Sequence, residues 1–111
     1  MSEHLIYKTP YSQSRVKFII DEYCDGGLYI RLWDVDECEP FADVTANIPG
    51  MSVPEGCAYV KNWSENEGMD RFLLESGIGE QIGTAFTGYV VAPLFRFDMG
   101  KVRRFELREE E

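Results

Sequence analysis

The densest group of chemically capable side chains is a run of carboxylates in the first half of the chain. Five acidic groups fall within ten residues, namely Asp34, Asp36, Glu37, Glu39 and Asp43. Carboxylate oxygens bind divalent cations or meet cationic protein surfaces. An EF-hand is excluded, because Cys38 occupies a ligand position of that loop and Glu39 the position of its turn glycine. We therefore expect no metal site, and we interpret the run as a surface for a cationic partner or as a turn that keeps the protein soluble.

The residues that usually carry catalysis are sparse or badly placed. His4 is the only histidine and precedes the first predicted strand, so a histidine-activated nucleophile has little support. Acidic neighbours disfavour the thiolate of Cys38. The glycines from Gly77 to Gly83 differ from a phosphate loop, because the third comes one place late and the segment follows a helix. We expect no catalytic residue and no cofactor, and predict that the protein is not an enzyme.

Charge is distributed unevenly along the 111 residues. The formal net charge is −9, and the segment 21–80 alone has fourteen carboxylates and three basic residues, a net charge of −11. Much of the compensating charge lies near the C-terminus, at Arg96, Lys101, Arg103, Arg104 and Arg108. Such a field repels nucleic acid and anionic membranes and attracts basic surfaces. We expect a basic protein surface as partner, with no direct nucleic-acid binding and no membrane binding.

Composition indicates one folded domain. Hydrophobic residues make up 44% of the chain and aromatic residues 14%, which suffices for one core. We predict a single α+β domain over residues 1–111, with residues 1–10 and 109–111 mobile. We find no membrane-spanning apolar run and no signal peptide, and the three cysteines fit no disulfide framework. We therefore expect a cytoplasmic protein with reduced thiols.

A β-hairpin is predicted in the first half. Residues 15–23 and 28–34 are rich in β-branched and aromatic types, and a three-residue loop at 25–27 would set Cys24 opposite Leu28. That register places alternate residues of both strands on a core face: Val16, Phe18, Ile20, Leu28, Ile30 and Leu32. The other face then pairs Ile19 with Trp33, Asp21 with Arg31, and Tyr23 with Tyr29.

The rest of the chain predicts a two-layer sandwich. Residues 41–48 alternate as a third strand, 57–61 form a fourth, and 89–97 form a last strand in which Pro93 indicates a sheet edge or a bulge. A helix begins near a capping box of Ser64 and Glu67 and stops at Gly77. A loop follows over 77–88, and residues 101–108 admit a short helix. The predicted fold class is α+β, with a mostly antiparallel sheet of four to five strands and one main helix packed on it.

The predicted partner-binding residues surround the acidic run. Glu22 and Asp25 are expected near it, and Tyr29 and Trp33 supply aromatic groups on the same sheet. If the helix covers that sheet face, the aromatic side chains belong to the core; if it does not, they form an anchor for a protein partner. The full set is Glu22, Asp25, Asp34, Asp36, Glu37, Glu39, Asp43, Tyr29 and Trp33.

Four segments of the second half carry a family resemblance: 57–61 (CAYVK), 64–68 (SENEG), 76–79 (SGIG) and 87–97 (TGYVVAPLFRF). In these segments the chain resembles a family of small uncharacterised proteins, a domain of unknown function, carried on conjugative elements, plasmids and phages of Gram-positive gut bacteria. The resemblance implies a mobile-element origin and transfers no catalytic residue. It also implies a class of small acidic proteins that blunt host defences, which includes anti-CRISPR and antirestriction proteins.

Two functions are expected from these observations. The first is a non-enzymatic acidic binding protein or inhibitor that occupies a basic nucleic-acid-binding surface, such as that of a nucleic-acid-guided or restriction nuclease, and so acts as a DNA mimic. The second is a structural or interaction module that uses the aromatic sheet face, or that forms a homodimer across the edge strand at 89–97. Salt dependence distinguishes them, because only the first is electrostatic.

Overall fold

Two four-stranded antiparallel sheets form the framework of the protein. The computed structural model describes residues 3–48, 50–86, 88 and 90–107. In the first sheet β1 (Leu5–Lys8), β2 (Gln13–Glu22), β3 (Leu28–Asp34) and β4 (Glu39–Asp43) lie side by side in chain order. In the second sheet the order is β5 (Thr45–Ala46), β6 (Cys57–Val60), β8 (Val91–Phe97) and β7 (Gly79–Phe86). A 3-10 turn (Ser64–Asn66) and the helices α1 (Met69–Glu75) and α2 (Met99–Arg104) complete the described elements.

One hydrophobic core joins both sheets and both helices. Fully buried side chains come from the first sheet (Phe18, Leu32), the second sheet (Val60, Phe95), α1 (Leu73) and α2 (Val102). The predicted α+β class with mostly antiparallel pairing is therefore confirmed. The described strands number eight in two sheets, however, instead of four to five in one. The helical part consists of two short helices, of seven and six residues.

The predicted β-hairpin exists, and its face assignment is confirmed. Val16, Phe18, Ile30 and Leu32 are fully buried, and Ile20 and Leu28 pack against them. The predicted register is wrong by two residues, because Glu22, and not Cys24, lies opposite Leu28. The turn is wider than predicted: Tyr23 donates its N–H to the Gly27 carbonyl at 2.8 Å, and Gly26 takes the left-handed φ of 88°. The outer pairs are therefore Lys17 with Trp33, Ile19 with Arg31 and Asp21 with Tyr29.

The strand predicted over 41–48 crosses from one sheet to the other. It splits into β4 and β5 on either side of Val44, which is fully buried. The N–H of Val44 donates to Ile30 in the first sheet at 2.9 Å, and its carbonyl accepts from Lys61 beside the second sheet at 3.0 Å. Val44 and Thr45 are both buried, so the predicted alternation breaks at this crossing.

Helix α1 ends as predicted but begins differently. No capping box forms, because Ser64 lies in the 3-10 turn and Gly68, with φ 95°, is the N-cap without a side-chain bond. At the other end Gly77 takes φ 73° and donates to the Leu74 carbonyl, while Ile78 donates to Leu73. These two bonds form a Schellman motif, in which glycine is favoured because the backbone is left-handed. The predicted helix stop is confirmed.

The segment after α1 corrects two predictions. Residues 79–86 form β7, although 77–88 was predicted to be a loop. Strand β8 lies between β6 and β7, so of the two alternatives predicted from Pro93 the sheet edge is wrong over the described residues. A register shift of the bulge type does lie next to Pro93, between Gln81 and Gly83 of β7. Pro93 is tolerated there because the pairing with β6 ends at Leu94, one residue away. Tyr89, the first residue of the predicted strand, lies outside the described residues.

Both ends of the described chain are attached to the first sheet. Residues 5–8, within the segment predicted to be mobile, form β1 and pair with β2. After α2, Leu107 donates to the Phe18 carbonyl at 2.8 Å and Phe18 donates to Phe105 at 2.9 Å. Arg104 forms an ion pair with Glu3. The predicted helix over 101–108 is observed as Met99–Arg104, while Arg108 and the acidic tail at 109–111 lie outside the described residues.

Candidate interaction surface

The first sheet separates the nine predicted partner-binding residues into three groups. Asp34, Asp36, Glu37 and Glu39 lie at the turn between β3 and β4; Tyr29, Trp33 and Asp43 lie on the outer face; Glu22 and Asp25 lie at the β2–β3 hairpin end. The two acidic ends are separated by the length of β3, roughly 20 Å at about 3.4 Å per residue. We call the turn with Asp34, Asp36, Glu37 and Glu39 the acidic turn. Glu22 and Asp25 are therefore remote from it, and the described part of this sheet has no continuous row of carboxylates between the two ends.

The acidic turn is partly neutralised by its own surroundings. Asp34 is only 8% exposed, and its Oδ1 accepts from the backbone N–H groups of Asp36 and Glu37, each at 3.0 Å. Asp36 forms an ion pair with Arg15, which lowers the pKa of the Asp36 carboxyl through hydrogen bonding and charge. Glu37 and Glu39 are exposed and have no ion pair among the described residues. Asp34 thus builds the turn, and only two of the four carboxylates remain available.

The outer face of the first sheet is aromatic and mixed in charge. Tyr29 stacks on Tyr23 with ring centroids 4.6 Å apart, and its hydroxyl donates to Asp43 at 3.0 Å. Burial raises the pKa of the Tyr29 phenol, and the hydrogen bond to Asp43 raises it further. Arg31 lies 3.6 Å from the same Asp43 carboxylate and 5.9 Å from the Tyr29 ring centre.

Neither helix covers this outer face. Met69, Leu73 and Val102 of the helices share the core with Phe18 and Leu32, which point to the inner face. Tyr29 and Trp33 are accordingly half-buried and not part of the core. The alternative in which a helix covers these aromatic residues is therefore wrong, and their role as an anchor for a partner stays a prediction.

Four exposed carboxylates gather at the end of the β2–β3 hairpin: Asp21, Glu22 and Asp25 from the hairpin, and Glu55 from the segment before β6. We call this group the acidic hairpin end. None of the four has an ion pair among the described residues. Asp25 also fixes the turn, because its Oδ1 accepts from the Gly27 N–H at 3.0 Å.

Two grooves flank the hairpin loop and share Gly26, Gly27 and Leu28 in their walls. The first measures about 460 Å³ and lies between the loop and residues 46–59, with Asp25 and Tyr59 in its lining. The second measures about 380 Å³ and lies towards α2. Its lining combines Asp21, Glu22 and Glu55 with the apolar side chains of Leu28 and Met99, and with Arg103. The concave parts of this end are thus acidic at the rim and partly apolar inside.

The described basic residues near the C-terminus, Arg96, Lys101, Arg103 and Arg104, make their contacts away from the turn between β3 and β4. Arg96 pairs with Glu80, Arg103 lies 3.9 Å from Glu106, and Arg104 pairs with Glu3. Arg103 also lines the second groove and thus places a positive charge beside the acidic hairpin end. Among residues 3–48, 50–86, 88 and 90–107, no three His, Cys, Asp or Glu side chains are placed to hold a metal ion. No helix within that part of the chain is long and apolar enough to cross a membrane.

Sequence reasoning missed Asp21, Glu55 and the two grooves. The predicted register set Asp21 opposite Arg31, which would have neutralised it. In the structure the register differs by two residues, and Asp21 lies opposite Tyr29. Glu55 reaches this end only through the packing of residues 53–57 against the hairpin and α2, for which the sequence has no local signal.

Comparison with known proteins places the chain in a family. No match was found among the curated proteins or among the solved structures. The family described as "Domain of unknown function (DUF4313)" matches residues 18–111, which include the second half of β2, the strands β3 to β8, both helices and the acidic hairpin end. This chain therefore belongs to the DUF4313 family of uncharacterised domains.

Proposed function

We propose that the protein is a non-enzymatic binding protein that docks its acidic hairpin end on a basic surface of a protein partner. One observation carries this proposal: Asp21, Glu22, Asp25 and Glu55 are exposed and without ion pairs in the described chain, and they border two grooves. Unpaired carboxylates on one end of an anionic protein attract cationic surfaces from a distance and orient the encounter.

The grooves suit lysine and arginine side chains of the partner. These side chains have an apolar stem and a charged head. In the second groove Leu28 and Met99 would contact the stem, while Glu22 and Glu55 would accept hydrogen bonds from the head. Arginine gains most, since a guanidinium binds a carboxylate through two parallel hydrogen bonds. The partner surface we propose is therefore rich in arginine and lysine.

Basic surfaces of this kind occur where proteins hold nucleic acid. A protein with a net charge of −9 that binds such a surface would compete with the nucleic acid and so inhibit the partner protein. The mobile-element origin implied by the family resemblance favours a defence nuclease, nucleic-acid-guided or restriction, as the partner. Glu37 and Glu39, roughly 20 Å away at the other end of β3, would supply a second contact.

Partner capture with matched variants tests this proposal. The immobilised protein is incubated with purified nucleic-acid-guided and restriction nucleases, and bound nuclease is measured at rising salt. Glu22→Gln/Glu55→Gln removes two charges from the acidic hairpin end, and Glu67→Gln/Glu75→Gln removes two from exposed sites elsewhere. We expect at least one nuclease to bind the native chain and Glu67→Gln/Glu75→Gln equally and to be released by salt. The same nuclease should bind Glu22→Gln/Glu55→Gln at least ten-fold more weakly. If the amount of bound nuclease changes neither with salt nor in Glu22→Gln/Glu55→Gln, the electrostatic mechanism is contradicted.

A second function, an interaction module acting through the outer aromatic face, is favoured by the packing of both helices on the opposite side. Tyr29 and Trp33 are rigid, half-buried aromatic groups of the type that anchors protein interfaces. Trp33→Ala separates the two functions. It should abolish a salt-insensitive interaction made by this face and leave an interaction made by the acidic hairpin end unchanged.

A further inference from the structure

The outer half of the β7–β8 hairpin is an uncharged region in a strongly charged protein. Residues 81–95 contain no Asp, Glu, Lys or Arg, although such residues make up 28% of the chain. The nearest charges in sequence are Glu80 and Arg96, which pair with each other at 3.3 Å across β7 and β8. This hairpin is therefore the place where a second anionic protein can approach with the least repulsion.

Apolar side chains are exposed on the same part of the hairpin. Phe86 is 84% exposed and lies directly opposite Val91, which is 45% exposed. Val91 lies on the same face of β8 as Phe95 and Phe97, which are buried. The inner face of the second sheet thus continues beyond the core and ends in two exposed apolar residues, Phe86 and Val91.

Strand β7 also has an open backbone edge. It pairs with β8 on one side, and no strand lies on its other side within the described residues. A bulge at Ile82 interrupts the strand, and the Gln81 side chain donates to the Gly83 carbonyl at 3.2 Å across it. Bulges protect edges from pairing, so the part that can receive another strand is residues 83–86. This part contains no proline and no charge.

We infer that a second copy of this chain pairs with residues 83–86 of β7, antiparallel and around a two-fold axis. A two-fold axis places the same segment of both copies side by side. A charged segment would then face its own charge and be repelled, whereas the uncharged residues 83–86 are not. The pairing extends the second sheet across both copies and packs each Phe86 against β7 of the other copy, with Val91 beside it on β8. Each dimer then carries two acidic hairpin ends, so a partner with two basic sites would be held more tightly than by one copy. This inference is independent of the proposed function.

Sedimentation velocity of the full chain over a wide concentration range tests the inference. We expect a reversible dimer that becomes stronger at higher salt, because salt screens the repulsion between two copies of charge −9. Phe86→Asp should raise the dimer dissociation constant by about 100-fold or more, since each dimer loses two apolar contacts and gains two buried charges. Leu74→Asp is the matched control, because Leu74 is 49% exposed on α1, outside the proposed contact.

Three outcomes decide between the possible occupants of the edge. A native dimer that Phe86→Asp dissociates and Leu74→Asp does not supports the inference. A native chain that stays monomeric at all concentrations overturns the inference. The open edge of β7 would then be available for pairing with a strand of another protein. A dimer equally stable in both variants also overturns it, since the contact then lies elsewhere.

Thiol crosslinking checks the location without relying on dimer stability. In a Cys24→Ser/Cys38→Ser background, which removes both exposed thiols, Thr84→Cys should give a crosslinked dimer with a short thiol crosslinker. Glu67→Cys, at an exposed position that precedes α1 and is not part of β7, should not. Equal crosslinking of the two variants would contradict pairing along β7.

Discussion

The Arg15 guanidinium lies against the Asp36 carboxylate and ties β2 to the turn between β3 and β4. Its Nε donates to both carboxylate oxygens, each at 3.1 Å. The most acidic stretch of the sequence is therefore less negative in the folded protein than its composition suggests. The acidic hairpin end has no such ion pair in the described chain, and for that reason we assign the binding role to it.

Replacing Arg15 should raise the pKa of Asp36. The hydrogen bond and charge of Arg15 hold this pKa below its ordinary value of 3.8, so in Arg15→Gln it should return towards that value. Because the folded-state pKa is the lower one, the stabilisation is present above pH 3.8 and is lost as the pH falls through the folded-state pKa. An NMR pH titration of the Asp36 side chain measures the change. Arg96→Gln is the control, and an unchanged Asp36 pKa in Arg15→Gln would refute the assignment.

Asp34 should behave as a structural residue and not as a binding residue. Asp34→Ala leaves two backbone N–H groups of the turn without their acceptor, which should cost about 1–3 kcal/mol of unfolding free energy. Asp34→Asn keeps an acceptor oxygen and should cost less. Urea denaturation measures both. Partner binding by folded Asp34→Asn should equal that of the native chain, and a ten-fold loss would return Asp34 to the binding surface.

Asn66 should be a major contributor to stability. It is 2% exposed, and its side-chain amide donates to the carbonyls of Asp43 at 2.5 Å and Lys61 at 3.1 Å. Asn66→Ala removes both donors and leaves two carbonyls short of a partner, so we expect a loss of about 2–4 kcal/mol. Urea denaturation checks this, with the exposed Asn47→Ala as a control near zero. Equal unfolding free energies of Asn66→Ala and Asn47→Ala would show that the hydrogen bonds from Asn66 to Asp43 and Lys61 do not stabilise the fold.

The parts of the fold that the sequence predicts correctly are those set by local patterns. The two faces of the β2–β3 hairpin follow from alternation, and the end of α1 follows from Gly77, whose left-handed backbone favours glycine. The register of that hairpin failed because it depends on the width of the turn. Strand β7 was missed because Gly79 and Gly83 resemble a loop, while its pairing with β8 is a tertiary effect.

The candidate site shows the same division. Glu22 and Asp25 were identified from their charge and their place at the hairpin turn. Their separation from the acidic turn follows from the length of β3, and the contribution of Glu55 follows from packing. The separation could have been predicted, because the strand predicted at 28–34 has the length of β3, whereas the contribution of Glu55 could not.

The Glu65 carboxylate should titrate unusually low. Lys61 donates to it at 2.6 Å, and this hydrogen bond is the main reason that the pKa of Glu65 falls from 4.5 to about 2. The stabilisation is therefore present above pH 4.5 and is lost as the pH falls towards about 2. Lys61→Met should return the pKa of Glu65 most of the way to 4.5, as measured by side-chain NMR. A pKa that remains about 2 in Lys61→Met would show that the lowering comes from the backbone and Ser64 hydrogen bonds and not from Lys61.

The central claim is that cationic side chains bind at the acidic hairpin end. The most direct measurement is NMR titration of the isotope-labelled protein with a short Arg-Gly-Arg peptide blocked at both termini. We predict saturable shifts concentrated at residues 21–28 and 53–57, lost in Glu22→Gln/Glu55→Gln and retained in Glu67→Gln/Glu75→Gln. Shifts spread evenly over the exposed carboxylates, or strongest at Glu37 and Glu39, would contradict the claim.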